Sequence, residues 1–347
     1  LACLVELRLP GGVRRAASWV LLLLLPLGAF VAVDFINSTR ILSFTFEKML
    51  ANYLCYLMVF AVIYAIFRRV WVTALAGGLL FLIFGIANYF VVQFRGQPIL
   101  PWDIQGFGTA LTVSGGYTYE PPPLMTVVAM AYLLTVVVCV KLAPKEKPQK
   151  SLRLAERGVA AGVAAFLFVL LFPVNIMSAL GISVWAWNQK TSSEITGITA
   201  GFFANIQYLM VEKPEGYSAA QVEEVSEEVS QLEEPEPVGD PQELPTIIAV
   251  MNESFTDMAA TSDGNITLSQ DNLPFLHSLQ ESGEVVWGTA YSSVYGGNTC
   301  NSEYEFLTGN TMAFLPSGSK PYQQYVDHEQ TSLVSLLKDT YDYECIA

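Results

Sequence analysis

The chain of 347 residues is 52% hydrophobic and only 14% charged, a balance too apolar for an ordinary soluble protein of this length. Charge is divided along it: residues 1–157 hold 14 Lys/Arg against 7 Asp/Glu, a net of +7, whereas residues 158–347 hold 4 against 25, a net of −21. An apolar basic half and an acidic half of water-soluble character imply two compartments, and the second half offers no basic groove, which excludes nucleic-acid binding.

Five apolar runs come near the bilayer-spanning length of about 20 residues: 16–36, 49–67, 70–93, 124–142 and 158–180. Their connections carry the orientation. Arg14 and Arg15 precede the first run, Arg68 and Arg69 separate the second from the third, and Lys141, Lys145, Lys147, Lys150, Arg153 and Arg157 lie between the fourth and fifth. The positive-inside bias places all three segments, and with them the N-terminus, in the cytoplasm. Five spans then put everything after about residue 181 outside the cell. The chain opens at Leu1 without Met and stops at Ala347 inside what reads as the start of a strand, so it is expected to be a piece cut at both ends. The first spanning helix can itself direct export of the second half.

The loop 95–123 contains Arg95-Gly96-Gln97-Pro98-Ile99-Leu100-Pro101-Trp102-Asp103 and ends in Pro121-Pro122-Pro123. Its Pro and Gly exclude a long regular element, leaving either a membrane-hugging connector or a surface that meets a head group or the exported domain. Beyond the fifth run, Trp185, Trp187, Phe202, Phe203, Ile206 and Leu209 suit one or two amphipathic helices along the outer leaflet. The stretch 211–245 crowds Glu223, Glu224, Glu227, Glu228, Glu233, Glu234 and Glu236 with Pro235, Pro237, Pro241 and Pro245, a solvated linker of repelling carboxylates with no turn chemistry to make them calcium ligands. Three parts result: an anchor over 1–181, a juxtamembrane segment and linker over 182–245, and an exported domain over 246–347.

That domain opens on Thr246-Ile247-Ile248-Ala249-Val250-Met251, a continuous apolar run of the kind buried on both faces of a parallel sheet, followed at once by Asn252-Glu253-Ser254-Phe255. Asp271 or Asn272 can cap a helix with Pro274 in its first turn and Gly283 as its stop. Residues 284–291 alternate like a second strand, 299–307 and 331–341 read as helices, and Ile346 starts another strand. Such alternation predicts an α/β layered domain whose chemistry gathers at the carboxyl ends of its strands. Glu253 sits at one such end, and Tyr295-Gly296-Gly297-Asn298-Thr299-Cys300-Asn301-Ser302-Glu303 follows another.

Thr299 stands where a glycine turn feeds a helix, and free backbone N–H groups there favour an anion. It reads either as a plain N-cap or as a hydroxyl that, bound to a divalent cation, ionises near neutral pH and attacks phosphorus, as metal lowers the pKa of bound water to about 7. Glu253 is either a ligand or a carboxylate hydrogen-bonded at a strand end. Cys300 is the rival nucleophile, but no His lies near it in sequence; His277 and His328, the two in the chain, read as surface or capping residues. The five cysteines, Cys3, Cys55, Cys139, Cys300 and Cys345, form neither a disulfide framework nor a zinc motif.

Asn252-Glu253-Ser254-Phe255 after an apolar strand, then Thr299 within Gly-Gly-Asn-Thr-Cys-Asn-Ser-Glu-Tyr-Glu-Phe-Leu-Thr-Gly, resembles the lipoteichoic acid synthase family, membrane-anchored members of the sulfatase and alkaline-phosphatase-like superfamily. The five-helix anchor, the 96–103 loop and Leu315-Pro316-Ser317-Gly318-Ser319 extend the resemblance over nearly the whole chain. It implies a multi-pass helical anchor followed by an incomplete sulfatase-like α/β domain, in the plasma membrane of a Gram-positive bacterium. It implies a phosphoglycerol transferase in which Thr299 takes glycerol phosphate from phosphatidylglycerol and passes it to a lipid-linked polyglycerol-phosphate chain. By the same resemblance Glu253 and Thr299 hold manganese, or magnesium, while an Asp-His pair and the His, Trp and Arg that grip the phosphate lie beyond this chain. With two of the ligands, the 347 residues alone are expected to bind manganese weakly and to turn over no lipid. A phosphoethanolamine transferase, a superfamily hydrolase and a non-catalytic membrane sensor or scaffold are the alternatives. A classical sulfatase needs Cys/Ser-x-Pro-x-Arg, and Cys300 is followed by Asn301, Ser302 and Glu303.

Overall fold

The computed structural model describes all residues except 1–8, 105–107, 109–118, 145–149, 186–187, 210, 212, 214, 233–243, 253–254, 259–264, 289–290, 292, 295–298, 317–318 and 347. It divides into two compact units, Leu1–Met210 with Pro316–Ser319, and Val211–Leu315 with Lys320–Ala347.

The first unit is a helical bundle. Helices α1 (Gly11–Ile36), α2 (Phe46–Phe67), α3 (Val70–Arg95), α4 (Pro123–Leu142) and α5 (Lys150–Leu171) are each long and apolar enough to cross a membrane. Helix α1 packs against α2, α3 and α4, and α5 lies along α2. An aromatic seam fills the centre: Tyr56 and Phe81 have ring centroids 4.2 Å apart, and Phe60 stacks on Phe81 at 5.9 Å. Gly77 admits Phe60, because a Cβ there would sit 2.7 Å from its ring. Between α1, α3 and α4 lies an apolar crevice of about 450 Å³, walled by Leu25, Gly28, Ala32, Gly78, Phe81 and Tyr132.

Four spans match the sequence reading to within a few residues; the fifth starts and ends earlier than the expected 158–180. Charged residues that marked 153–157 as loop are helical because they have partners. Glu156 Oε2 accepts from Arg68 Nε at 2.6 Å, and Arg157 donates to Ile66 O at 3.1 Å. Pro173 ends the helix two residues before itself, since the residue preceding proline is pushed out of α geometry. Arg14 Nη1 donates to Lys141 O at 2.6 Å and to Ala143 O at 3.2 Å, so the basic start of α1 and the basic end of α4 meet at one end of the bundle.

The opposite end is polar and buried. After α6 (Ile176–Ala179) the chain forms α7 (Gln189–Thr196) and α8 (Ile198–Ala204). Short helices form where the aromatic pattern predicts them, and they pack on α1 and α2 through polar contacts. Asn52 Nδ2 donates to Thr196 O at 2.7 Å, and its Oδ1 accepts from Ala200 N at 3.3 Å. Thr199 Oγ1 donates to Tyr56 OH at 2.7 Å, and Asp34 Oδ1 accepts from Thr39 Oγ1 at 2.9 Å and from Ile198 N at 3.3 Å. Gln189 and Asn205 exchange two side-chain bonds of 3.1 Å. Buried amides and hydroxyls satisfied in this way hold a segment more specifically than an apolar face does. The 95–104 loop is equally built: Arg95 forks onto both Asp103 oxygens at 2.7 and 2.6 Å, Ile99 N donates to Asn88 Oδ1 at 2.7 Å, and Trp102 is buried.

The second unit contains α9 (Ala219–Ser230), α10 (Pro274–Ser282), α11 (Thr299–Thr308), α12 (Pro321–Gln324) and α13 (Leu333–Tyr341). Of the capping signals read from sequence, the stop of α10 is realised and its start is not. Gly283 closes that helix at φ +72°, but the N-cap is Leu273, with no side-chain cap, and Asp271 Oδ1 instead accepts from Leu273 N at 2.8 Å ahead of the helix; on α13, Ser332 and Ser335 form a capping box that the sequence reading did not name. The expected strands are absent among the described residues. Ile248, Val250, Val286 and Ile346 are 84%, 78%, 104% and 89% exposed, so the α/β layering does not form there. A strand of a parallel sheet is held by two neighbours and two covered faces, and an apolar run without them has no ladder to join.

Candidate active site

Thr299 is the first residue of α11, on the turn whose four N–H groups have no intrahelical acceptor, and it is half-buried. The turn before it, 295–298, lies outside the described residues, as do Glu253 and Ser254. The pairing of Glu253 with Thr299 expected from sequence therefore falls partly outside them. Among the described residues no group of three or more His, Cys, Asp or Glu could hold a metal ion. A hydroxyl and a carboxylate are hard oxygen donors that suit manganese or magnesium, yet two donors fall short of the six such an ion takes.

The helix carrying Thr299 is fixed from several sides. Tyr304 is buried and meets Tyr322 edge to face, with centroids 5.6 Å apart and planes at 87°. Tyr322 OH donates to Glu303 Oε1 at 3.4 Å, which brings a tyrosine from α12 to the side chain one helical turn beyond Thr299. Burial, then the Glu303 charge, raise the Tyr322 phenol above its ordinary 10.0, so it stays a neutral donor. Glu305 Oε1 gathers three donors: the Ser293 hydroxyl, Thr311 Oγ1 at 3.2 Å and Met312 N at 2.6 Å. Gly309, at φ +71°, donates its N–H to Glu305 O at 2.9 Å and ends the helix. Sequence reasoning passed over Glu303, Glu305 and Tyr322. The signal for Glu305 was a carboxylate in the helix with hydroxyl residues flanking both helix ends, Ser293 and Thr311.

Cys300 is half-buried, and its Sγ lies 3.6 Å from Asn301 Oδ1. Neither histidine serves it. His277 sits between two carboxylates, Nε2 2.9 Å from Asp257 Oδ2 and Nδ1 2.8 Å from Asp271 Oδ1, while His328 Nδ1 lies 2.7 Å from Asp327 Oδ1. Hydrogen bonds donated to Asp257 first, then to Asp271, raise His277 above its ordinary 6.5 and favour the imidazolium.

No protein-family model matches the chain. No solved structure matches it. It is similar to a protein of Rhizobium meliloti (strain 1021) named for cyclic beta-1,2-glucan modification, 28% identical over 255 residues that cover 71% of this chain and 38% of that protein. A similarity 255 residues long exceeds the first unit and so reaches beyond the membrane helices into the second. The chain spans less than two-fifths of the relative's length.

Proposed function

We propose that the chain is the anchor and nucleophile-bearing part of a membrane-bound transferase that takes glycerol phosphate from phosphatidylglycerol onto Thr299 and passes it to a hydroxyl of a polyglycerol-phosphate chain. The observation that carries this is the place of Thr299 at the start of a ten-residue helix, half-buried and with its helix held by the Tyr304–Tyr322 contact and the bonds to Glu305. An anionic phosphodiester arriving there meets the positive end of the helix dipole. In the first half, the Thr299 oxygen bonds to phosphorus, the bond to diacylglycerol breaks, and the threonine proton ends on the diacylglycerol oxygen. In the second, an acceptor hydroxyl bonds to phosphorus, the Thr299–phosphorus bond breaks, and the acceptor's proton returns to Thr299. Thr299 and Glu253 would hold a manganese or magnesium ion, which when bound supplies positive charge beside the phosphoryl oxygens. The gathering of basic side chains at one end of the bundle supports an N-terminus in the cytoplasm and a second unit outside it.

A second acceptor has its own support. The relative is named for modification of a cyclic glucan, which makes a sugar hydroxyl the alternative recipient, with the Thr299 half-reaction unchanged. The test is the full-length protein in vesicles with head-group-labelled phosphatidylglycerol, and with polyglycerol phosphate or cyclic glucan as acceptor. Label should enter one acceptor and not water, and Thr299→Ala should abolish transfer while membrane insertion persists. Unchanged transfer by Thr299→Ala would refute the mechanism. Label moving only from phosphatidylethanolamine would mark the related phosphoethanolamine transferase, and no lipid turnover at all would favour a sensor or scaffold.

A further inference from the structure

The crevice between α1, α3 and α4 lies inside the first unit and takes no part in the chemistry just described. Its wall follows α1 from Leu21 to Phe35 and α4 from Leu124 to Thr135. At a rise of about 1.5 Å per residue, that stretch of α1 is about 21 Å long. It is therefore long enough to run the depth of one leaflet, half of a hydrocarbon core about 30 Å thick. It extends from the middle of the bundle to the end where α1 stops and α4 starts, the outer leaflet on the orientation proposed above. Leu24, Val31 and Leu124 line it and are also exposed, so it opens sideways, onto whatever surrounds the spanning helices.

The wall carries no charged side chain, and its two hydroxyl hydrogens are already donated. Tyr132 OH gives its hydrogen to Leu75 O at 2.6 Å, and Thr135 Oγ1 to Ala131 O at 2.9 Å. A water needs two to four polar partners, and the wall does not offer them. Two glycines mark the space. Gly78 makes room for the Tyr132 ring, which a Cβ there would strike, whereas Gly28, on the α1 wall, faces no described atom within 4 Å. Glycine weakens a helix interior, and no packing within the described chain requires it at Gly28. An apolar cavity of about 150 Å³ takes up benzene, so the crevice of about 450 Å³ has room for a chain of roughly 12 to 18 carbons.

We propose that this crevice binds one acyl chain of a membrane phospholipid, held by contacts along its methylene groups and without regard to its head group. In a bilayer the gain comes from packing, because a wall without partner atoms forfeits its dispersion contacts.

The test uses full-length protein purified in detergent that contains phosphatidylglycerol and phosphatidylethanolamine with identical acyl chains. Native mass spectrometry reads the lipid retained, and thermal unfolding is followed alongside. One lipid per chain should persist, with the two head groups retained alike. Gly28→Leu puts a side chain where a chain would lie and displaces on the order of ten carbon–carbon contacts, so retention should fall about tenfold. Its unfolding midpoint should equal or exceed that of wild type, since the added Cβ meets open space. Ala131→Leu, from the α4 wall, should act in the same direction. Gly12→Leu is the control: Gly12 lies on α1 outside the crevice, its Cβ would also meet nothing within 4 Å, and retention should stay at the wild-type value. Retention unchanged in both crevice variants, an equal loss in Gly12→Leu, restriction to one head group, or a loss that only follows the unfolding midpoint would overturn the proposal.

Discussion

Gly197 joins α7 to α8 with φ +97° and ψ 143°, a backbone region open to glycine and costly for other residues. A Cβ at that position would lie 2.3 Å from Asn52 Oδ1, the atom that accepts the Ala200 N–H. Replacing the glycine therefore strains the backbone and evicts a buried amide from its partners. Gly197→Ala is expected to cost about 3 kcal/mol or more of bundle stability. Thermal unfolding in detergent reads it, and a midpoint equal to wild type would mean that the α7–α8 dock contributes little. The same contact explains a limit of sequence reading. Asn52, Thr196 and Thr199 are three ordinary polar residues more than 140 positions apart at the widest, and nothing in local pattern pairs them. Their aromatic neighbours Phe202 and Phe203 suggested a lipid-facing helix, because an amphipathic pattern reports that a face is covered without saying by what.

At the scale of elements, α10 shows what was legible. Pro274 and Gly283 mark its first turn and its stop by local chemistry alone and take those places, while Asp271 bonds Leu273 N ahead of the helix instead of capping it. His277 was read as a surface or capping side chain, yet it links the α10 entry to Asp257 in the segment that follows Glu253. Its raised pKa gives the pH dependence a sign. A group raised in the folded state contributes stability that is whole below its unfolded value, 6.5, and is lost as pH climbs through the folded value. Hydrogen exchange of 255–258 should therefore speed up as pH rises from below 6.5 past the folded pKa, beyond the intrinsic trend, and His277→Gln should remove that excess. An excess unchanged by the substitution would show that the two aspartates do not act through His277. The strands failed for a different reason. An apolar run such as Ile247-Ile248-Ala249-Val250 states a demand for burial on two faces, which only other elements can meet.

The molecule as a whole joins a five-helix membrane bundle to a unit that carries Thr299 at a helix start. The bundle was plain in the sequence because spans of apolar residues are read by length alone, with the exception of α5, where Glu156 and Arg157 hide inside a helix by pairing with α2. Half of the candidate site was plain as well: a hydroxyl behind a glycine turn at the head of a helix. Its supports, Glu305 with Ser293 and Met312, were not, because a carboxylate in a helix looks solvated until its donors are placed. The relative named for glucan modification matches over a length that takes in part of each unit. On the reading proposed above, the activity passes through one atom, the Thr299 oxygen. The most direct measurement is mass spectrometry of full-length protein incubated with phosphatidylglycerol and no acceptor. The account predicts one phosphoglycerol group on the peptide containing Thr299, chased off by acceptor and absent from Thr299→Ala. An adduct on Cys300, or an unmodified Thr299 in protein that still transfers label, would contradict it.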